Sequence, residues 1–326
     1  MTLTVSVAMC THNGAAYVEE QLRSILAQTR LPSEIVVSDD ASSDGTVELV
    51  RSVLGEASAA SIAVTVLQNP KALGVTANFQ QALEACHGDL LALSDQDDVW
   101  YPDRLAVAAE RFDESPGLLL LSSDARLVDA AGIPIGQTLF EGLDITSANR
   151  AEVHAGRGFQ ALLRRNLSTG ATALLRRRLI EIAVPFPAPW VHDEWLAVIA
   201  AASDGFDIEE RELIDYRQHD RNQIGARSRG LAEKAKRLIE PRGNRYHYLV
   251  DRSEVLLRRL ESFSNRVSPV YLDALRDKLV HLRFREGLPA SRIARVPLVL
   301  REAGTGRYER YSRGLGDVVR DLLQPE

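Results

Sequence analysis

Apolar and polar positions alternate in blocks along the first hundred residues. Short apolar or β-branched runs at residues 4–9, 35–37, 64–67 and 90–93 predict strands. Between these runs, apolar residues recur at the three- to four-residue period of a helix with one buried face: Val18, Leu22, Ile25 and Leu26; Val47, Val50 and Leu54; Val75, Phe79 and Leu83. Strands that alternate with helices predict an α/β fold with a mainly parallel sheet flanked by helices.

Polar turns follow three of the predicted strands, at residues 11–14, 38–46 and 95–98. Because the carboxyl ends of parallel strands meet at one edge, where open α/β sheets bind ligands, we expect these turns to form one site. The sequence contains neither GxGxxG nor GxxxxGK[ST]. A dinucleotide-dependent dehydrogenase and a P-loop NTPase are therefore disfavoured.

Carboxylates are concentrated in two of these turns. Asp95, Asp97 and Asp98 fall within four residues, and their mutual repulsion is relieved most simply by a divalent cation such as Mg²⁺ or Mn²⁺. Asp39 and Asp40 follow the second strand, where a carboxylate can accept hydrogen bonds from a ribose or a base. Taken alone, each group has a plain alternative: a solvated turn for the first and a helix-capping turn for the second.

Composition indicates an ordinary globular protein: 326 residues, 45% hydrophobic and 26% charged. Two cysteines are too few for a disulfide framework, and no secretory leader or bilayer-spanning apolar run of about 20 residues is visible. We therefore expect a cytoplasmic protein. No nucleic-acid partner is expected.

Charge is distributed unevenly along the chain. Residues 1–150 carry 8 Lys and Arg against 21 Asp and Glu, whereas residues 228–326 carry 21 against 13. The tail also has leucines at helical spacing, which predicts a small, basic helical region. This region could cover the acceptor end, form a homodimer, or contact the inner membrane face peripherally; a solvated arginine-rich surface explains the charge equally well.

The ordered motifs resemble family 2 glycosyltransferases, which have the GT-A fold. The nucleotide-sugar half of that family is matched by residues 11–14, 38–46, 69–74 and 95–98. Three later segments resemble the acceptor half of a rhamnosyltransferase-like bacterial subgroup: residues 166–170, 190–195 and 216–225. The resemblance covers about residues 3–225, so we expect a glycosyltransferase domain at 1–227, divided near residue 125, and a helical region at 228–326.

The resemblance implies roles on the donor side. Thr11 and Asp39 would hold the base and ribose, with Asp40 and Lys71 as further donor-binding candidates, although an exposed surface lysine is an equal alternative for Lys71. Asp95 would contact the donor and, with Asp97, Asp98 and His219, the Mn²⁺ or Mg²⁺ ion that bridges the two phosphates. Gly170 fits a tight turn where backbone approaches donor or acceptor, or a purely structural turn.

The resemblance also implies the catalytic base. Asp193 matches the family's base position, where a carboxylate removes the proton of the acceptor hydroxyl in a single inverting displacement. Glu194 is the competing base, and an acid-rich helix N-terminus is the plain alternative. We expect Trp190 and Trp195 to flank the carboxylate and present aromatic faces to a sugar.

The expected reaction moves a sugar from a nucleoside-diphosphate donor, dTDP-rhamnose or a UDP-hexose, to a hydroxyl of a saccharide or lipid-linked acceptor in cell-surface polysaccharide synthesis. Two alternatives stay open. A sugar-nucleotide pyrophosphorylase would share the strand-turn-helix units and the metal, and a non-catalytic nucleotide- or sugar-binding module would share the fold without the chemistry.

Overall fold

The computed structural model of the chain describes residues 3–57, 61–219 and 240–325. The expected domain boundary at 227/228 and the motif residues 220–225 lie outside the described residues. Within the described part, one mixed nine-stranded sheet is flanked by helices, and a group of helices follows it. The predicted α/β fold with a C-terminal helical region is confirmed.

The first half of the sheet forms as the sequence pattern predicts. Every position of β1, β2 and β4 is buried, which is typical of central parallel strands covered on both faces, whereas β3 is partly exposed at the sheet edge. The strands pair in parallel in the order β3-β2-β1-β4. The elements are β1 (Val5–Thr11), α1 (Val18–Leu26), β2 (Glu34–Asp39), α2 (Thr46–Ala57), β3 (Ala63–Gln68), α3 (Val75–Glu84) and β4 (Leu90–Ser94).

The second half of the sheet is mixed, because β8 runs antiparallel between β4 and β6. Beyond β6 lie β9, which is parallel to it, and then β5; β7 pairs with β6 outside this order. The strands are β5 (Val99–Trp100), β6 (Leu120–Val128), β7 (Pro134–Thr138), β8 (Ala173–Arg176) and β9 (Phe206–Arg217). The helices are α4 (Arg104–Glu114), α5 (Leu139–Gly142), α6 (Ser147–Glu152), α7 (Gly158–Arg164), α8 (Arg178–Ala183) and α9 (His192–Ala202).

Strand register brings the polar turns to one edge of the sheet. Thr11, the last residue of β1, pairs with Asp39, the last residue of β2. On the other side of β1, Met9 pairs with Ser94, the last residue of β4. The turns after β1, β2 and β4 therefore leave the sheet side by side.

The C-terminal helices pack on the sheet domain through a shared hydrophobic core. Leu260 and Leu275 are fully buried in the same cluster as Trp195 of α9. Tyr271 adds a hydrogen bond from its hydroxyl to Asp204. The helices are α10 (Arg245–Ser262), α11 (Pro269–Glu286), α12 (Arg292–Ala303), α13 (Arg307–Tyr311) and α14 (Leu315–Leu323).

A second, smaller core holds the end of this helical region together. Arg285 is buried and donates to Asp321 at 2.7 Å and to Asp317 at 3.3 Å, while the Tyr308 hydroxyl donates to Asp321 at 2.7 Å. Pairing satisfies these buried charges, which are costly when left alone. Among the described helices, none has the length and apolar character needed to cross a bilayer.

Candidate active site

Thr11 and Asp39 form one hydrogen-bonded unit at the strand ends. The Thr11 hydroxyl donates to Asp39 Oδ1 at 2.7 Å, and Ser42 donates to the same carboxylate through its backbone N–H at 2.9 Å and its hydroxyl at 2.5 Å. The Asp39 side chain thus shapes the turn after β2. A carboxylate has further lone pairs for a ligand, so its donor-binding role stays a prediction.

Asp40 anchors the loop that precedes α3. Its two oxygens accept the backbone N–H groups of Leu73 at 2.6 Å and Gly74 at 2.9 Å. Gly74 has φ +86°, a conformation that glycine adopts without steric cost. Lys71 is exposed on this same loop. Asp40 therefore fixes the backbone that carries Lys71, and a direct donor contact by either side chain stays a prediction.

Gln96 ties the turn after β1 to the turn after β4. Its Oε1 accepts the His12 N–H at 2.8 Å, and its Nε2 donates to the His12 carbonyl at 3.0 Å. A Cβ on Gly14 would lie 2.1 Å from Gln96 Oε1, so a larger residue there would displace the Gln96 side chain from this contact. The sequence prediction overlooked Gln96, although its place among three aspartates was a usable signal.

Asp97 and His219 meet although 122 positions separate them in the sequence. Their facing atoms, Asp97 Oδ2 and His219 Nε2, are 2.7 Å apart. Tyr17 stacks on the His219 ring at 5.1 Å between centroids. Arg217 donates from Nε to the Asp97 carbonyl at 2.8 Å and holds the turn in place. The structure thus brings together two of the predicted metal ligands.

The surroundings of Asp98 and Asp95 differ from those of Asp97. Asp98 is buried, its Oδ1 accepts the Arg217 N–H at 3.1 Å, and its Oδ2 has no hydrogen-bond partner among the described residues. Burial, followed by the charges of Asp97 and Asp95, raises the pKa of Asp98 well above its usual range. Burial, then Asp97 and Asp193, raises the pKa of Asp95 to about 7. This crowding of carboxylates favours a cation nearby.

A divalent ion fits this donor set. Across residues 3–57, 61–219 and 240–325, no three His, Cys, Asp or Glu side chains are grouped as a complete metal site. Asp97 and His219 nevertheless present one oxygen and one nitrogen side by side. Mg²⁺ and Mn²⁺ commonly use one or two protein ligands and fill the remaining positions with water and phosphate oxygens. The pair suits a site that a diphosphate completes, and ligation by Asp95 and Asp98 stays a prediction.

Arg104 is a second residue that the sequence prediction overlooked. It is fully buried, with its guanidinium 3.9 Å above the Trp100 ring, and its charge acts to lower the raised pKa values of Asp95 and Asp98. Burial lowers the pKa of Arg104 to about 9, so the group still carries its charge at neutral pH. Arg104 therefore offsets part of the negative charge of Asp95 and Asp98.

Asp193 lies in the first turn of α9 with both oxygens engaged. Oδ2 accepts the Gly170 N–H at 2.9 Å, and Oδ1 accepts the Glu194 N–H at 2.7 Å. Burial raises its pKa, which makes the carboxylate a stronger base. Glu194 instead forms an ion pair with Arg252 of α10. The arrangement favours Asp193 over Glu194 as the base.

Only one of the two tryptophans, Trp190, stays partly exposed near the start of α9. Trp195 is fully buried in the main core, and its indole N–H donates to the Ala183 carbonyl at 2.8 Å. Trp190 is half-buried beneath the Arg252 guanidinium, 3.9 Å from its ring centroid. Helix geometry turns Trp195 into the core, because residues two positions apart on a helix face in different directions. The expectation that Trp195 presents its ring to a sugar is wrong.

His192 is the third overlooked residue. It is buried, stacks on Phe79 at 4.1 Å between ring centroids, and neither ring nitrogen has a hydrogen-bond partner among the described residues. Burial lowers its pKa to about 3, so the imidazole is neutral. A Cβ on Gly170 would lie 2.8 Å from His192 Nε2, so Gly170 provides the space that this ring fills. The position of His192 next to Asp193 in the sequence was the signal that could have identified it.

The two carboxylate centres belong to one electrostatic neighbourhood. Asp97 and Asp193 both act on Asp95 strongly enough to raise its pKa. Such an effect requires short separations, since charge interactions weaken with distance and solvent. The predicted metal ligand Asp97 and the predicted base Asp193 therefore lie near the same carboxylate, Asp95.

Residues 6–170 match the family model of glycosyl transferase family 2. The chain belongs to glycosyl transferase family 2. A curated relative of this family 2 protein is the dTDP-rhamnosyl transferase RfbG of Shigella flexneri, 26% identical over 230 residues that cover 67% of this chain and 74% of the relative.

Solved structures confirm the GT-A fold of this family 2 chain. The Staphylococcus aureus protein TarS 1-349, solved with UDP-GlcNAc, superposes with a TM-score of 0.56 at 18% identity over 98% of this chain and 82% of that one. The mannosyltransferase PcManGT of Pyrobaculum calidifontis, solved with GDP-Man and Mn²⁺, gives 0.51 at 20% identity over 99% and 86%. At these identities the similarity concerns the fold alone.

Proposed function

We propose that this family 2 transferase moves a sugar from a nucleoside-diphosphate donor to an acceptor hydroxyl with inversion at the anomeric carbon. The observation that carries the proposal is the shared acidic site, in which the Asp97 and His219 pair and Asp193 both lie near Asp95. A diphosphate-binding group and a base at one site are what a single displacement needs.

Donor binding is assigned to the turns at the carboxyl ends of β1, β2 and β4. Thr11 and Asp39 contact the nucleoside, with Asp40 and Lys71 beside it and Asp95 toward the sugar phosphate. Asp97 and His219 would hold Mn²⁺ or Mg²⁺, which supplies Lewis-acid stabilisation of the departing diphosphate. The PcManGT structure, solved with Mn²⁺, supports this choice of ion.

Asp193 takes the proton of the acceptor hydroxyl. The O–H bond breaks as the oxygen attacks the anomeric carbon, and the electron pair of the broken C–O bond leaves with the diphosphate. The Gly170 and Glu194 N–H groups fix the orientation of the carboxylate before the acceptor arrives. Such preorganisation lowers the barrier, because no reorientation is needed during the reaction.

The proposed donor is dTDP-rhamnose, because RfbG is named a dTDP-rhamnosyl transferase. A UDP-hexose is second, because TarS was solved with UDP-GlcNAc. The proposed acceptor is a saccharide or a lipid-linked saccharide.

A nucleotide screen tests the proposal. UDP, dTDP and GDP are added with and without Mn²⁺, and the melting temperature is measured, since a ligand at a hundred times its Kd stabilises the fold by about 2.7 kcal/mol. We expect metal-dependent stabilisation by one nucleotide and slow hydrolysis of its sugar conjugates. Stabilisation without hydrolysis or transfer would indicate a non-catalytic binding module, and no metal-dependent stabilisation would reject the proposal.

A further inference from the structure

A pocket lies between the sheet domain and the C-terminal helices. It opens where the end of α7 and the start of α9 meet α10 and α11, and its volume is about 130 Å³. Since a water occupies about 30 Å³, the pocket has room for a group of several heavy atoms. We call it the cationic pocket, because the described residues that line it include Arg164, Arg165, Arg252 and Lys278 but a single acid, Glu194.

Two of these cations are paired. Arg252 forms an ion pair with Glu194, and Arg164 donates to Glu152, with Nη1 3.1 Å from Oε1. Each pair neutralises one positive charge of the pocket wall. These side chains therefore form the frame of the site.

The other two cations lack an ion pair within the described residues. Arg165 donates to the carbonyls of Leu143 and Asp144, and its buried Nε has no partner there. Lys278 lines the pocket, and Glu194, the acid whose charge acts on it, already pairs with Arg252.

Neighbouring cations repel one another in this region. Burial, and then the charge of Arg252, lowers the pKa of Lys278 to about 8. Burial, and then the charge of Arg313, lowers the pKa of Arg165, while Asp144 opposes that shift. Partly buried like charges are costly unless an opposite charge joins them.

The charge balance points to a multiply charged anion. Five cations act in and around the pocket, including Arg313, against four acids in the described residues: Glu152, Glu194, Asp144 and the neighbouring Asp193. A carboxylate brings one negative charge, whereas a phosphoryl group brings about two and offers several oxygens to arginine and lysine donors.

The pocket is also close to the candidate base. Glu194 follows Asp193 directly, and the charge of Arg252 reaches Asp193 strongly enough to act on its pKa. An acceptor whose hydroxyl meets Asp193 can therefore extend into the cationic pocket.

We propose that the cationic pocket binds a phosphoryl group carried by the acceptor. This inference rests on the proposed function and narrows it, since it assigns the acceptor to phosphorylated saccharides or lipid-linked phosphates. It also gives the C-terminal helices a role in acceptor recognition, because Arg252 and Lys278 come from α10 and α11.

The test uses inorganic phosphate as the probe and the full chain as the protein. Phosphate is titrated in EDTA at constant ionic strength, so that a metal at the donor site does not contribute, and the melting temperature is followed. Acetate and chloride serve as the singly charged comparisons. We expect saturable stabilisation by phosphate that acetate does not reproduce; equal stabilisation by all three would overturn the proposal.

A matched pair of variants locates the effect. Lys278→Met removes a pocket cation, whereas Arg276→Met removes an exposed cation of the same helix that pairs with Glu261 and Asp273. We expect phosphate affinity to fall at least tenfold in Lys278→Met and to change less than twofold in Arg276→Met. Unchanged affinity in Lys278→Met contradicts the proposal. Arg165→Gln gives the same comparison if Lys278→Met does not fold.

Different measurements test the proposed function and the pocket assignment, so either can be rejected without the other. Nucleotide stabilisation with Mn²⁺ reports the donor site and should be equal in Lys278→Met and the parent protein. If that stabilisation is absent from every variant, the proposed function is wrong; if it is present while phosphate has no specific effect, the pocket assignment alone is wrong. Glucose 1-phosphate and farnesyl phosphate then distinguish a saccharide phosphate from a lipid phosphate by their relative affinities.

Discussion

The proposed donor side and the proposed acceptor side of this protein are held in different ways. On the donor side, neighbouring turns fix one another through side chain to backbone hydrogen bonds, as Gln96 does with His12 and Asp40 with Gly74. On the acceptor side, Asp193 sits on a helix packed into the main core, and its neighbour Glu194 pairs with an arginine of the C-terminal helices. The proposed donor site is thus local to the strand ends, whereas the proposed acceptor site depends on distant parts of the chain.

This difference has a functional meaning. Tight turns at the carboxyl ends of parallel strands suit a ligand part that many enzymes share, the nucleoside diphosphate. On the acceptor side, residues on separate helices can be substituted with little effect on the sheet. We therefore expect donor binding and acceptor use to respond to different substitutions.

The largest expected effect is on the acceptor side. Asp193→Asn removes the proposed base, so kcat should fall by roughly 10²- to 10⁴-fold while nucleotide affinity changes little. Steady-state transfer rates and calorimetric nucleotide binding measure the two effects. Glu194→Gln is the control and should lower kcat less than tenfold, because Glu194 pairs with Arg252. Transfer by Asp193→Asn at the parent rate would show that another group is the base.

The second largest expected effect is on the proposed donor side. His219→Ala removes the imidazole that faces Asp97, so Mn²⁺-dependent nucleotide affinity should fall by at least about tenfold. Calorimetric titration of the nucleotide with and without Mn²⁺ measures this loss. Asp113→Asn, an exposed acid on α4, should have no effect. If Mn²⁺ increases nucleotide affinity equally in His219→Ala and in the parent protein, His219 does not contribute to the metal site.

Two glycines allow a comparison of packing. Gly170→Ala places a Cβ 2.8 Å from His192 Nε2, within a buried acceptor-side cluster, and should lower the free energy of unfolding by about 1–3 kcal/mol. Gly14→Ala meets the end of the longer Gln96 side chain at 2.1 Å and should mainly weaken nucleotide binding.

Urea unfolding and nucleotide titration separate these two effects. Gly55→Ala in α2 is the control, because no atom lies within 4 Å of the added Cβ, and a helical Gly to Ala change stabilises by about 0.5–1 kcal/mol. The comparison breaks down if Gly14→Ala destabilises the fold more than Gly170→Ala does.

The smallest expected effect is in the pH dependence. Burial raises the pKa of Asp193, and the base must be ionised, so kcat should fall as pH falls through a value above the usual Asp pKa of about 3.9. Because the folded state holds this proton more tightly than the unfolded chain, the contribution of Asp193 to stability falls as pH rises between the two pKa values. Asp193→Asn should remove both effects, which pH profiles of kcat and of urea unfolding would measure.

Sequence reasoning identified the strand ends better than the helix faces. The apolar runs located β1 to β4 within a few residues. Three of these strands, β1, β2 and β4, are buried on both faces and therefore need a continuous apolar segment. The same reasoning placed Trp195 beside the acceptor, whereas it lies in the core. A short motif does not reveal which way a helix is rotated, because rotation depends on what the helix packs against.

The sequence also did not reveal which distant residues contact one another. Asp97 and His219 were each predicted as metal ligands through the family resemblance, but nothing in the spacing shows that they touch. Gln96, Arg104 and His192 were overlooked, because their roles come from neighbours that only folding supplies: a facing turn, a cluster of carboxylates and the ring of Phe79.

By itself the sequence determined the order of strands and helices and the turns that carry the carboxylates, because local hydrophobic periodicity and turn chemistry act over a few residues. The tertiary structure decided which of those side chains meet, that Glu194 pairs with Arg252, and that the basic tail contributes cations to a pocket near Asp193. The physical reason is that pairing, burial and charge balance depend on distances in space, which the packing of the sheet against the C-terminal helices sets.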